Sequence, residues 1–390
     1  MRPLIQARRT GTLVPSKMPG DAFEAFVPLP LPPRPAVRID MELLGRAERA
    51  ARQLGSMSAL LPDTSLFVYS YVRKEALLSA QIEGTQSTLE DLLLFETRQV
   101  PGVPLDDVCE VSDYVAALEQ GMRALRAGQR VSTGLLRRLH RTLLKRGRGK
   151  DRTPGAFRRR QVWIGGDRPS EARFVPPPPA HVARCMRELD AFLSTSRLSP
   201  LITIALAHVQ LETIHPFRDG NGRIGRLLIS LLLCESGLLS EPLLYASVHL
   251  KAHRREYYDR LQAVRERGDW EGWVHFFLEG IVASSHQAVA TARELLALFA
   301  RNQRQLEGAP SALAVFHALQ KQPISSVAHL QRSLRSTYPT VAKALALMKS
   351  LGIVKELTGQ RRNRLFAYAP YIAILNVGAE PFRRTSHGAG

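Results

Sequence analysis

The sequence predicts a mainly α-helical protein. Three observations carry this. Apolar residues recur at helical spacing over long stretches of the 390 residues, from Met41 onward and again from Thr64. The stretch from Ile214 to Arg226 breaks that pattern with Pro216 and the turn Gly220-Asn221-Gly222. Apolar runs at 201–211 and 227–233 flank it, so it reads as helix, tight loop, helix. Strand character shows in two short segments near the C-terminus, 353–357 and 365–368.

Taken in order, residues 1 to about 40 are punctuated by Pro and Gly and read as an extended arm. Arg2, Arg8 and Arg9 lead into no apolar run, so no secretory signal is expected, and Asp21 and Glu24 argue against an organelle transit peptide. A helix from Met41 to about Leu54 follows. The next runs from Thr64 through Phe67, Tyr71 and Leu78, with Asp63 or Thr64 as cap and Gly84 as stop. Residues 85–88 then enter a helix over 89–95. Helical pattern dominates 110–285 and continues from 284 to 306, where Glu307-Gly308-Ala309-Pro310 marks a hinge.

Beyond that hinge, helices are expected over 311–320, over 324–334 begun by Ser325 and Ser326, and from Tyr338 or Pro339 to Ser350. Gly352 stops the third, and the two short strands flank a basic turn at 358–363. Three helices and a two-stranded wing resemble a winged helix-turn-helix over 311–375, whose third helix enters the major groove. The candidate DNA contacts are Thr337, Tyr338, Thr340, Lys343, Arg361, Arg362 and Arg364. A protein-contact role for this module is the alternative. Residues 376–390 read as a disordered tail.

Hydrophobic content of 45% and charged content of 23% are those of an ordinary globular chain. No window reaches the ~20 apolar residues of a membrane span, so no membrane partner is expected. Cys109, Cys185 and Cys234 show no metal spacing and suit a reducing, cytoplasmic setting. The net charge of +19 is concentrated in runs at 137–150, 158–160 and 360–364. Such runs suit contact with a polyanion, or serve only to solvate the surface.

The stretch at 214–226 carries the chemistry. Backbone N–H groups after a Gly-rich turn that opens a helix form an anion site. Arg223 and Arg226, three apart, share one face of that helix. Cations there oppose the helix dipole unless an anion compensates them. The plainer alternative is that His215 caps a helix and Gly220–Gly222 is only a turn.

The segment His215-Pro216-Phe217-Arg218-Asp219-Gly220-Asn221-Gly222-Arg223-Ile224-Gly225-Arg226 resembles the Fic family signature, H-P-F-x-(D/E)-G-N-G-R-x-x-R, at every fixed position. Further similarities surround it in the family's order. Pro154-Gly155-Ala156-Phe157-Arg158, Val162-Trp163-Ile164-Gly165-Gly166 and Phe174-Val175-Pro176-Pro177 look like the family's β-hairpin flap and its proline-rich exit. Residues 243–250, His253-Arg254-Arg255-Glu256-Tyr257-Tyr258 and 268–273 resemble the helices closing its pocket. Upstream, Ser79-Ala80-Gln81-Ile82-Glu83-Gly84 resembles the inhibitory motif (S/T)-x-x-x-E-(G/N) of the class whose inhibitory helix is N-terminal. Without the signature, Glu83 would read as a solvated carboxylate at a helix end. The resemblance covers roughly residues 20–285.

It implies a Fic-type helical core with a flap, divided as 1–109 with the inhibitory helix, 110–285 catalytic, and 286–310 connecting. It implies a protein adenylyltransferase that moves AMP from ATP to a Ser, Thr or Tyr hydroxyl of a target protein. His215 would be the base, a task that suits imidazole. Asp219 would hold Mg²⁺. Gly220, Asn221, Gly222, Arg223, Ile224, Gly225 and Arg226 would bind the nucleotide, and Tyr257 would border the adenine. Val162, Trp163, Ile164 and Gly165 would dock the target segment by strand addition. Ser79, Glu83 and Gly84 would inhibit by pairing Glu83 with Arg226. Alternative readings are a DNA-binding regulator with a sensory or autoregulatory Fic core, and a relative that transfers or removes another phosphate-linked group. Candidate partners beyond the target are DNA and a second copy of the chain in a homodimer.

Overall fold

A computed structural model describes residues 10–60, 64–97, 104–358 and 364–381. It opens with strands β1 (Gly11–Met18) and β2 (Asp21–Pro28), an antiparallel pair in which Met18 faces Asp21. The extended arm expected here is thus a hairpin. Its signal was Pro19-Gly20 between two alternating segments, a two-residue loop in which Gly20 takes φ +75°. Ala25, Phe26 and Val27 at the end of β2 are buried, and Phe26 N–H donates to Val175 O at 2.9 Å.

The helices follow: α1 (Met41–Leu60), α2 (Thr64–Ile82), α3 (Leu89–Glu96), α4 (Leu105–Arg126), α5 (Thr133–Leu143), α6 (Pro179–Thr195), α7 (Pro200–Ile214), α8 (Asn221–Glu235), α9 (Ser247–Ala252), α10 (Arg254–Arg267) and α11 (Trp270–Gln305). Helix α7 is the centre. It is apolar all round and buried from Leu201 to Ile214 except at Thr203, as a helix must be when neighbours cover every side. Helices α6, α8, α10 and α11 pack on it, and α2, α4 and α5 pack on α8. Gly225 lets α7 and α8 approach closely, because a Cβ there would overlap the Glu212 carboxylate.

The C-terminal part holds α12 (Pro310–Lys321), β3 (Ile324–Ser326), α13 (Val327–Ser333), α14 (Tyr338–Ser350), β4 (Lys355–Glu356), β5 (Leu365–Ala367) and α15 (Ala369–Asn376). The order is that of the winged helix-turn-helix expectation, with differences. Ile324–Ser326 is a strand, making a three-stranded antiparallel sheet β3-β5-β4, and helix begins only at Val327. Ser326 caps that helix by accepting from His329 N–H, so the expected start signal was real and lay one strand later. Thr337 caps α14 in the same way. Arg361 and Arg362, at the expected wing tip, lie outside the described residues.

Two further differences concern boundaries. Helix α11 runs unbroken for 36 residues through the junction expected at 285–286. Phe299 near its end packs on Phe316, Tyr368 and Tyr371, so the last turns of α11 and the C-terminal module share one apolar core. The tail expected to be disordered from 376 starts in ordered chain. Asn376 ends α15, and Ala379 is only 3% exposed.

Candidate active site

The site is built where α7 stops. Pro216 cannot continue a helix, and His215 takes the left-handed conformation, φ +48° and ψ +59°, with its N–H bonded to Leu211 O. A non-glycine residue there is uncommon, and such strain gathers at functional sites. Arg158 holds the turn. Its guanidinium, 2% exposed, donates to His215 O (2.8 Å), Pro177 O (2.5 Å) and Ile214 O (3.3 Å). Burial pulls it down to about 10. The basic run 158–160 is therefore not one surface: Arg158 is a buried strut, while Arg159 and Arg160 are exposed.

The His215 ring is half-buried, and its Nδ1 lies 3.4 Å from Glu212 O. A carbonyl can only accept, so Nδ1 carries the proton and Nε2 keeps its lone pair. Burial, then the Arg265 and Arg158 cations, pull this imidazole down to about 4. It is neutral at physiological pH, the state a base requires.

Loop and helix start are fixed by side chains of the loop itself. Asn221, 3% exposed, accepts from Phe217 N–H and donates to Phe217 O, both at 2.9 Å. Phe217 stacks on His140, rings 3.7 Å apart and 9° from parallel. His140 accepts from Gly155 N–H through Nδ1 (2.8 Å), so its Nε2–H donates to Asp219 O (2.9 Å). Gly220 precedes α8 with φ +74°, and no side chain caps the helix. That leaves an uncapped, positive helix N-terminus.

Around it lie the charged groups. Arg223 is 4% exposed, donates to Glu110 Oε2 at 3.1 Å and sits 3.6 Å from Asp219 Oδ1. Asp219 accepts from Gly220 N–H at 2.6 Å, and its side chain is 40% exposed. Arg226 is 1% exposed. It donates to Ser79 Oγ (2.8 Å), Ser79 O (3.0 Å) and Glu83 Oε1 (2.6 Å). Burial works against both charges, yet each wins over it: Arg226 holds the Glu83 carboxyl below its usual range, and Glu83 keeps Arg226 firmly protonated. A Cβ at Gly222 would overlap that carboxylate, so Glu83 rests on the first turn of α8. Gly84, at φ +96°, turns the chain away immediately afterwards.

Not every residue of the expected set faces this loop. Ile224 is fully buried in the core, and Gly225 faces Glu212 and His208 of α7. Both lie between the arginines in sequence and, by helix geometry, on the packing side. Tyr257 does not line an open pocket. It is 1% exposed, with its hydroxyl 3.0 Å from His208 Nε2, and His208 is stacked on Trp273. Its neighbour Tyr258 is the half-buried one, beside Arg254, whose Nε donates to Ile82 O at the end of α2. The flap is looser than a hairpin. One isolated bridge, Ile164 to Phe174, replaces a ladder, and Gly165 and Gly166 turn with positive φ. Val162, Trp163 and Ile164 are half-buried and Gly165 is exposed.

Sequence reasoning missed four residues around the site: His140, Arg158, Glu110 and Glu212. Glu212 is 6% exposed, burial raises its carboxyl to about 7, and its Oε1 has no partner among the described residues. Each sits in an ordinary amphipathic or buried helix or loop, and only the fold brings it to the loop. Among the described residues no three His, Cys, Asp or Glu groups converge as a metal cluster, and no helix is long and apolar enough to cross a membrane.

A buried mainly helical core, with a helix–loop–helix whose loop presents His215 beside an uncapped helix start, defines the Fic class. Residues 41–123 match the Fic/DOC family N-terminal region and residues 130–233 match the Fic/DOC family domain, so the chain carries both Fic/DOC regions. It is 31% identical over 253 residues to the protein adenylyltransferase Fic of Aedes aegypti, covering 62% of this chain and 46% of that protein. Against the protein adenylyltransferase Fic of Drosophila willistoni it is 34% identical over 207 residues, 52% of this chain and 38% of the relative. The chain thus spans about half the length of the curated relatives it matches, or less. A Fic family protein from Desulfovibrio desulfuricans G20 shares the fold, with a TM-score of 0.56 at 21% identity over 86% of this chain and 97% of that one.

Proposed function

We propose that this protein is a protein adenylyltransferase that moves AMP from ATP to a hydroxyl of a target protein. The observation that carries it is the anion cradle: an uncapped α8 start with two buried arginines, faced by a neutral imidazole whose Nε2 is free. The target hydroxyl oxygen attacks the α-phosphorus, the bond from that phosphorus to the bridging oxygen breaks, and pyrophosphate leaves. His215 Nε2 takes the hydroxyl proton. The Gly222 backbone and Arg223 stabilise charge on the phosphates, and Arg226 takes the γ-phosphate once Glu83 has left. Ile164 and its neighbours hold the target segment.

Asp219 is a half-exposed carboxylate beside the cradle, and one carboxylate fits an ion held mostly by phosphate oxygens. Mg²⁺ held there would neutralise phosphate charge. Incubation of Glu83→Gly with α-labelled ATP and lysate tests the function. A labelled protein is expected, and label must vanish in Glu83→Gly with His215→Ala. Transfer of label from ATP carrying it only at the γ-position would point instead to a different phosphate-linked group.

The winged module supports a second activity, duplex DNA contact. The observation favouring it is the exposed face of α14, with Tyr338 at 46% exposure and Lys343 exposed, and Arg332 exposed on α13. Arg364 is less available than expected: it forms a two-pronged pair with Glu356, at 2.7 and 2.8 Å, which Lys349 also joins.

A further inference from the structure

Helix α2 carries two polar stripes, and they serve different partners. Glu75, Ser79 and Glu83, four apart, face the centre of the molecule: Glu75 accepts from Ser247 N–H and Tyr114 O–H, Ser79 and Glu83 from Arg226. Ser70, Lys74 and Gln81 lie about 160° round, on nearly the opposite face, and all three bind the C-terminal end of the described chain. Ser70 Oγ meets the Tyr371 hydroxyl of α15. Lys74, 0% exposed, donates to Val377 O at 2.8 Å. Gln81, also 0% exposed, donates from one amide nitrogen to Ala379 O and Ser87 O, both at 3.0 Å. From the other side Lys251 of α9 donates to Gly378 O and Glu380 O.

This is a built peptide groove. Its walls are α2 and α9, it bears two buried lysines and a buried glutamine, and its occupant is the turn that follows α15, in which Gly378 takes φ +77°. Buried ammonium groups need acceptors, and residues 377–380 supply them. Burial already draws Lys74 down to about 8. The occupant is tied to the winged module without slack: β5 ends at Ala367, Tyr368 alone intervenes, and α15 starts at Ala369.

We propose that α15 and residues 377–380 act as an intramolecular clamp, seated in the α2–α9 groove, that holds the last turn of α2 and thereby keeps Glu83 on Arg226. The mechanical link is short. Gln81, gripped by Ala379 O, lies between Ser79 and Glu83 on the same turn. Withdrawing the segment takes Val377 O from Lys74 and one of its two acceptors from Gln81, which loosens the last turn of α2. The C-terminal module then becomes the input that sets how often the α8 start is free. The inference rests on the adenylyltransferase reading for its activity readout alone.

The test uses the full chain with Ala379→Arg, which cannot seat in the buried position, and with Lys74→Met, which keeps the volume and loses the ammonium. Backbone hydrogen exchange of residues 79–87 is read beside self-labelling from α-labelled ATP, with Glu83→Gly as reference. Both variants should exchange faster at 79–87 while the spectroscopic fold is kept, and should label about tenfold more than the parent, a typical coupling between two sites. Unchanged exchange at 79–87 in both variants overturns the clamp. So does raised exchange with parent-level labelling, provided Glu83→Gly labels strongly. If Glu83→Gly itself fails to label, the reaction assignment is what fails, and the exchange data still decide the clamp.

Discussion

The Glu83 carboxylate lies 2.6 Å from Arg226 Nη2 and rests against Cα of Gly222, on the open end of helix α8. Carboxylate, guanidinium and helix start together form a closed circuit. Any phosphate aimed at the same cations must displace Glu83, which costs the pair and leaves Arg226 buried until the phosphate replaces it.

Removing the carboxylate should therefore release activity. Glu83→Gly is expected to raise self- and target labelling by at least about tenfold, as expected when a competing state is removed. Arg226→Ala should weaken ATP binding more than AMP binding, since AMP has no γ-phosphate. Titration calorimetry with both nucleotides checks this. Equal losses would mean that Arg226 serves the α2 contact alone.

The pH dependence follows from His215. Its imidazole is held near 4, so the base form persists well below neutrality. Glu83 acts on His215 in the opposite sense, raising it, so loss of that carboxylate charge disfavours the imidazolium further. Transfer by Glu83→Gly should stay level from pH 8 down to about 5.5, whereas an unperturbed imidazole would lose rate from about 6.5. A midpoint at 6.5 in the rate profile would refute the assigned state of His215.

Stability shares this logic. His140, His208 and His249 are also drawn down to about 4, burial being the first cause in each. Their unfolded forms take up protons near 6.5 while the folded forms do not, so acid favours the unfolded chain. The histidine contribution to the thermal midpoint should hold above pH 7 and fall progressively between 6.5 and 4, partly offset by Glu75 and Glu212, whose carboxyls burial raises to about 7. Replacing His208, whose two nitrogens bond Gly225 O and Tyr257, should both lower stability and flatten that decline.

How much of this was legible beforehand depends on the range of the interactions. The loop from His215 to Gly222 could be read because its information is local: a proline stop, two glycines and two arginines three apart. Helices such as Leu89–Glu96 were equally plain, with Thr88 closing a capping box on Asp91. Tyr257 could not be told from Tyr258 in sequence because adjacent aromatic residues on a helix differ by 100° in direction, and only packing decides which faces inward. Arg158 read as one of three basic neighbours because nothing local says that its carbonyl partners arrive from Ile214, His215 and Pro177. The docked end at 377–381 was hidden for the same reason: its bonds go to Lys74 and Gln81, some 300 residues away in sequence.

Tyr257→Phe separates the core role from a pocket role. The hydroxyl is buried and paired with His208, so its loss should cost about 1 kcal/mol of stability, the usual net worth of such a bond. ATP affinity of Glu83→Gly should be unchanged by it, whereas Tyr258→Ala should weaken nucleotide binding. Denaturant titration and calorimetry on the two variants give the comparison.

DNA contact by the C-terminal module is best tested in the intact protein. An isolated 311–375 piece would expose Phe316 and Tyr368, which Phe299 of α11 covers. With a net charge of +19, the chain will attract duplex DNA without specificity, so the control matters as much as the variant. Lys343→Glu, on the open face of α14, should weaken duplex binding and flatten the fall of affinity with salt by about one phosphate contact. Arg255→Glu, whose side chain is 98% exposed on α10 far from α14 in sequence, makes the same charge change and should alter the slope little if contact is specific to the module. Arg364→Ala should act on stability first, because it breaks the two-pronged pair with Glu356. Equal effects of Lys343→Glu and Arg255→Glu in fluorescence anisotropy at several salt concentrations would assign the binding to bulk charge and leave α14 as a protein-contact surface.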